Sequence, residues 1–179
     1  MKKKYLLIAI LFSVFALNAQ SDNPVNEKKN ELKLNVLLPF DGAVQGTYER
    51  NLNKKSSVGV SLFTVFDTDK GEKDLNYSIS PYYRRYFGKK YASGFFAEGF
   101  GMLSSIDGKK KYDVNDKSIF TEGSDVTDLS LGIGLGSKWV TKSGIIFEIN
   151  AGWGKLLFNA DKTDHTQVAR FGFHLGYRF

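Results

Sequence analysis

The sequence predicts an all-β fold, an eight-stranded antiparallel up-and-down transmembrane β-barrel, and three observations predict it. The closing stretch Val168–Phe179 puts Phe171, Phe173, Leu175, Tyr177 and Phe179 on one parity and Arg170, Gly172, His174, Gly176 and Arg178 on the other. That is a strand with one apolar and one polar face. Eight alternating segments of this kind can be marked off, an even number, and their lengths bracket the roughly 9 to 11 residues a tilted strand needs to cross a bilayer. The polar faces carry glycines and ionised groups, whereas a solvated strand face carries Lys, Thr, Glu and Gln with little glycine. An aromatic content of 15%, 18 glycines and only three prolines fit β structure.

Met1–Ala19 opens on Lys2, Lys3 and Lys4, continues as an apolar run and ends in Leu17-Asn18-Ala19. This is the pattern of a secretory signal peptide, and its apolar core is short of the roughly 20 residues of a spanning helix. Half of the formal net charge of +6 comes from those three lysines, too little elsewhere to argue for nucleic acid. With no cysteine, neither a lipid anchor on cysteine nor a disulfide is available. Residues 20–30 read as a flexible periplasmic leader, and residues 31–179 as the single barrel domain.

The first segment, Glu31–Leu38, aligns Leu32, Leu34, Val36 and Leu38 and ends at Pro39-Phe40-Asp41-Gly42, which has turn chemistry. Ala43–Leu52 opposes Val44, Gly46 and Tyr48 to Gln45, Thr47 and Glu49, and Ser57–Phe66 gathers Val58, Val60, Leu62 and Phe66. Leu75–Phe87 sets Leu75, Tyr77, Ile79, Pro81 and Tyr83 against Asn76, Ser78, Ser80, Tyr82 and Arg84. The fifth segment, Gly94–Ser104, is ambiguous at the adjacent Phe95 and Phe96; Ala97, Gly99 and Leu103 are expected outside and Glu98 inside. A long connection, 105–126, leads to Thr127–Val140, where Leu129, Leu131, Ile133, Leu135 and Trp139 alternate with Ser130, Gly132, Gly134, Gly136 and Lys138. Ile145–Leu157 follows after a tight turn, with Phe147, Ile149, Ala151 and Trp153 against Glu148, Asn150, Gly152 and Gly154, and the chain returns to the closing strand.

An even strand number puts both chain ends on one side. If that side is the periplasm, the connections after Asn51, Phe87 and Val140 are short and periplasmic, and those at Asp67, Ser105 and Asn159 are longer and extracellular, as in outer-membrane barrels. Pro39–Gly42, a tight first extracellular loop, is the exception. A soluble periplasmic barrel would place the apolar face inside. An eight-stranded lumen only just admits side chains, so glycine beside long charged groups favours the inverted arrangement. Most lysines fall in turns and loops, whereas Lys33 and Lys138 sit on the glycine-bearing face. Arg50 and Arg85 point outward near periplasmic strand ends, where snorkelling is cheap. Phe87, Trp139, Phe147, Tyr177 and Phe179 form one aromatic girdle and Phe66, Tyr77 and Trp153 the other.

The same parity gathers Lys33, Arg84, Lys138, Arg170 and Arg178 in the lumen with Glu49, Glu98, Glu148 and His174. Charges in a dry space persist when paired and hydrogen-bonded, so a lumen polar network is expected. Structural filling that fixes strand register is preferred to a proton or ion path, because so narrow a barrel has no continuous aqueous channel. Catalytic chemistry is thin. The two histidines, His165 and His174, lack the His-x-Ser pairing that a lipid A-modifying enzyme would use, so no catalytic, cofactor-binding or metal-binding residue is assigned. Asp113-Val114-Asn115-Asp116 lacks the glycine and terminal glutamate of an EF-hand loop. Lys109, Lys110 and Lys111 could meet lipopolysaccharide phosphates by charge.

The signal peptide, Tyr82-Tyr83-Arg84-Arg85-Tyr86-Phe87, Gly94-Phe95-Phe96-Ala97-Glu98-Gly99 and the Phe-terminated last strand resemble the small outer-membrane β-barrel families, many of unknown function, and are loosely similar to the OmpA and OmpX porin-family barrels over Glu31–Phe179. The resemblance implies that Tyr177 and Phe179 form the signal read by the barrel assembly machinery. It implies location in the outer membrane of a Gram-negative cell with lipid and lipopolysaccharide as partners; a monomer is expected, and, with the sequence ending at the barrel, no peptidoglycan-binding domain. It says little about activity. Two functions follow as expectations: a non-enzymatic structural or surface-interaction protein working through its extracellular loops, or a narrow porin or transporter for small or hydrophobic solutes.

Overall fold

A computed structural model describes residues 28–67, 74–112 and 120–179, with backbone only at 110–112 and 120–122. The expected signal peptide, most of the leader and the 113–116 segment lie outside the described residues. The ten strands are β1 (Asn30–Asn35), β2 (Ala43–Asn53), β3 (Ser56–Val65), β4 (Leu75–Tyr86), β5 (Gly94–Ile106), β6 (Lys110–Tyr112), β7 (Phe120–Glu122), β8 (Val126–Val140), β9 (Ile145–Leu156) and β10 (Gln167–Arg178). Eight of them close a barrel in the order β1-β10-β9-β8-β5-β4-β3-β2, every pair antiparallel, and β6 and β7 form a separate hairpin inside the β5–β8 connection. Closure is made by the chain ends: Glu31 faces Arg178 and Leu34 faces Leu175. Along this β1–β10 ladder the two terminal strands cover each other's edges.

The short connections 54–55, 87–93 and 141–144 and both ends of the sheet lie at one end of the barrel, the turn end; the longer connections lie at the other, the loop end. Alternation on the strands is apolar out and polar in. Leu131, Ile133 and Leu135 are 57%, 73% and 56% exposed, whereas Lys33, Glu49 and Lys138 are at 0% and Arg84 at 1%. Within β5, Phe95 is exposed and Phe96 fully buried, so Phe96, Glu98, Phe100 and Met102 line the lumen and Ala97, Gly99 and Leu103 line the outer wall. Phe66, Tyr77 and Trp153 at the loop end and Phe87, Trp139 and Phe147 at the turn end are exposed as two aromatic bands.

Most strand ends shift by a residue from the sequence expectation, and a few differences have a clear cause. The first strand stops at Asn35 rather than Leu38, because the Asn35 side chain accepts the Leu37 amide at 3.2 Å and Leu38–Asp41, with Pro39 near its start, winds into a 3-10 turn. It also starts at Asn30, whose backbone exchanges hydrogen bonds with Phe179. Leu75 was expected outside; a register shift between Leu75 and Tyr77 turns it towards the lumen, where it packs on a buried apolar cluster. The connection expected over 105–126 begins only after Ile106, since Ser105 and Ile106 continue β5 opposite Thr127 and Val126.

Glycine placement explains how so narrow a tube holds large side chains. On β8, Gly132, Gly134 and Gly136 sit directly opposite Phe100, Glu98 and Phe96 of β5. A Cβ on Gly132 would meet the Phe100 ring and the Trp153 carbonyl, and one on Gly136 the Phe96 ring and the Ile149 carbonyl. Gly59 makes the same room for the Tyr82 phenol and Gly172 for the His174 ring. The large inward side chains of β4 and β5 are therefore matched by glycines on the neighbouring strands, which leave them the room to lie across the lumen.

Candidate functional site

The lumen ion-pair cluster is built from inward positions on seven strands, and Glu49 of β2 is its hub. One Glu49 oxygen accepts Lys33 Nζ at 2.6 Å, the Tyr82 hydroxyl at 2.8 Å and an Arg84 guanidinium nitrogen at 2.9 Å. The other accepts Lys138 Nζ at 2.8 Å and the Tyr86 hydroxyl at 2.6 Å. Each cation then reaches a second carboxylate. Lys33 meets Glu148 at 2.6 Å, Arg84 meets Glu98 at 2.6 Å and Glu148 at 2.8 Å, and Lys138 meets Glu31 at 2.8 Å. The Arg84 guanidinium lies between the Tyr82 and Phe96 rings, 4.4 and 4.1 Å from their centroids. Charges so buried are tolerated because each is paired with an opposite charge and hydrogen-bonded.

Of the expected network residues, Lys33, Glu49, Arg84, Glu98, Lys138, Glu148 and Arg178 come together. Arg170 joins from the loop side, 3.5 Å from Glu98 and over the Phe100 ring at 4.6 Å. His174 lies in the lumen, 4% exposed, but forms no ion pair, and its Nδ1 has no hydrogen-bond partner among the described residues. Glu31, not anticipated from the sequence, is a second hub: it takes Arg178 at 2.6 Å, Lys138 and the Asn51 amide. Its signal was parity, two residues before Lys33 on the same face. Tyr82 and Tyr86 had the right parity too, but their service to Glu49 shows only once β2 and β4 face each other across β3. The Ser61 and Thr47 hydroxyls, 2.8 Å apart, continue the polar lining.

Both ends of the cluster are capped. At the turn end, connection 87–93 folds across the opening: Arg178 donates to the carbonyls of Tyr91 at 3.2 Å and Ala92 at 2.8 Å, and the Ala92 amide donates to the Lys54 carbonyl. Ala92 adopts a positive φ of 38° to make that turn, and with Tyr86 and Phe96 it forms a small buried apolar patch. At the loop end, Tyr82, Phe100, Met102, Ile106, Leu156 and Val168 form an apolar layer above the charges. The connection 157–166 is drawn over it by buried Asp128, which accepts the Phe158 and Asn159 amides at 3.1 and 2.9 Å. Apolar layers thus lie on either side of the polar middle, and the cluster links strands distant in sequence.

Outside the lumen, His165 Nε2 lies 3.3 Å from an Asp74 carboxylate oxygen beside a loop-end recess of about 120 Å³. Lys109 is exposed and its amide donates to the Lys162 carbonyl, tying the long connection to the β9–β10 connection; the side chains of Lys110 and Lys111 lie outside the description. Tyr177 and Phe179, the expected assembly signal, end β10 half-exposed on the outer wall. One outward cation was not anticipated: Lys155, at the loop end of β9.

No curated protein matches the chain. Among solved structures, the backbone structure of the Yersinia pestis outer membrane protein Ail in a phospholipid bilayer nanodisc is similar with a TM-score of 0.42 and 17% identity, over 85% of this chain and 99% of that one. The family described as "Protein of unknown function (DUF3575)" matches residues 5–173, nearly the whole sequence, and the chain belongs to that family.

Proposed function

We propose that this protein is an integral outer-membrane β-barrel without enzymatic activity, whose filled lumen serves rigidity and whose loop end contacts lipopolysaccharide or surface partners. The observation that carries this is the inverted polarity of the wall. Leu62, Leu131, Ile133, Leu135 and Phe171 are each more than half exposed while the charges they alternate with are buried. In water, a contiguous apolar belt of that extent is a strong liability, as soluble monomers rarely expose more than a few hundred Å² in one patch. In a bilayer it is what a transmembrane barrel requires. Short turns then face the periplasm and long connections the exterior.

A narrow porin or transporter for small or hydrophobic solutes is the second reading, and one feature favours it. β1 ends at Asn35 while β10 runs on to Gln167, so β10 above Phe171 has no strand ladder on its β1 side. Planar-bilayer recording separates the two. The filled-lumen reading requires the reconstituted barrel to give no unitary conductance and no solute flux in liposome swelling; steady channels or saturable uptake would favour transport. Outer-membrane fractionation with heat-modifiable gel migration tests location and fold.

A further inference from the structure

We infer that the turn end carries a binding site for the phosphodiester headgroup of an anionic phospholipid, in a recess between the β4–β5 turn and the end of β8. The inference rests on the membrane reading above and adds to it a ligand class and a place. The recess, about 220 Å³, is lined by Gly88, Lys89, Lys90, Ser93, Gly94 and the Lys138–Val140 end of β8, which includes Trp139. Lys89 and Lys90 are exposed, and neither forms an ion pair among the described residues. Trp139, 55% exposed on the outer wall, belongs to the aromatic band with Phe87, which stacks at 5.9 Å on Phe95. Lysines, a serine and glycine backbone on one side and an indole at the apolar belt's edge on the other suit a phosphate above and an acyl-glycerol junction below.

Charge distribution sets the sign of the ligand. The three turns at this end contain Lys54, Lys55, Lys89, Lys90 and Lys142 and no Asp or Glu. The loop end is mixed, with Asp41, Asp67, Asp74, Asp125, Asp161 and Asp164 beside Lys109, Lys155 and Lys162. Arg85 adds a cation to the outer wall two residues before Phe87, so positive charge continues from the turns onto the lipid-facing surface. This continuity favours a lipid headgroup over a periplasmic polyanion, which would meet only the turn tips. The backbone of the turn is also tied to the barrel, by Arg178 on the Tyr91 and Ala92 carbonyls, so that less of its backbone freedom is lost when Lys89 and Lys90 bind.

The test uses the two tryptophans at opposite ends. In a Trp153→Phe background, Trp139 fluorescence is followed in liposomes containing phosphatidylcholine or phosphatidylglycerol brominated high on the acyl chain, at equal mole fraction. The site predicts that brominated phosphatidylglycerol quenches Trp139 several-fold more effectively, with apparent preference falling about fivefold per lysine in Lys89→Gln/Lys90→Gln. Lys54→Gln/Lys55→Gln, which removes the same charge from another turn, leaves that preference in place. Excess inorganic phosphate failing to relieve the quenching identifies the source as lipid. Equal quenching by both lipids, equal loss in both double variants, full relief by free phosphate, or binding to peptidoglycan sacculi without a lipid preference would overturn the site. Failure of the membrane reading looks different: no brominated lipid would quench either Trp139 or, in the Trp139→Phe counterpart, Trp153.

Discussion

Replacing Glu49 by Gln keeps the shape of the lumen hub and removes its charge. The side chain is fully buried and accepts from Lys33, Arg84, Lys138, Tyr82 and Tyr86. A glutamine offers one acceptor oxygen, and its amide would point two hydrogens at a group of donors. If each of the three ion pairs were independent, breaking them at about 3 to 5 kcal/mol apiece would exceed the whole stability of an ordinary domain. They are not independent, because Lys33 keeps Glu148, Arg84 keeps Glu98 and Glu148, and Lys138 keeps Glu31. No cation is left bare, so the expected loss is that of a single broken buried pair, about 3 to 5 kcal/mol in total. Reversible urea unfolding of the barrel in phospholipid vesicles, read by tryptophan fluorescence and by the fraction migrating as the compact form on a gel, measures it. Adding Lys138→Met to Glu49→Gln should recover about 1 to 3 kcal/mol of the summed single effects, since it removes a surplus cation. A Glu49→Gln cost below about 1 kcal/mol, or strict additivity in the pair, would refute the hub.

Other sites give sharper contrasts. Ile133→Arg places a cation on the most exposed outward position of β8 and should cost about 2 to 4 kcal/mol in vesicles, against a few tenths if that face were in water. Gly132→Ala should destabilise by about 1 to 3 kcal/mol, because its Cβ would press on the Phe100 ring and lie 2.6 Å from the Trp153 carbonyl; outward Gly99, with nothing within 4 Å, should take alanine almost without effect in the same assay. Arg178→Ala should free the β4–β5 turn from the barrel opening and raise the rate of tryptic cleavage after Lys89 or Lys90 by roughly tenfold or more, whereas an unchanged cleavage pattern by mass spectrometry would mean the turn needs no anchor.

Much of this was legible in the sequence because a closed antiparallel barrel obeys one rule, period two, over long strands. Lys138 among Gly132, Gly134 and Gly136 declared the inward face of β8, and Leu131, Ile133 and Leu135 the outward one. The rule failed where both parities were apolar: Phe95 and Phe96 could not be told apart, and Ile106, Leu156 and Val168, which cap the lumen, look no different from wall residues. It failed again where local chemistry overrides alternation, at the Asn35 turn that shortens β1 and the bulge that turns Leu75 inward. Pairing geometry was not accessible at all. That Gly132 and Gly136 are bare because Phe100 and Phe96 lie opposite them depends on the β5–β8 register, and so does the space for Arg84 between its rings.

The account turns on what touches the outer wall. With the protein in lipid nanodiscs and its Leu and Ile methyls labelled, nuclear Overhauser transfer from acyl-chain methylene protons should reach Leu131, Ile133 and Leu135 strongly, with no transfer from water at the middle of β8. Strong water transfer to those methyls and none from lipid, with the protein stable as a monomer in detergent-free buffer, would contradict it.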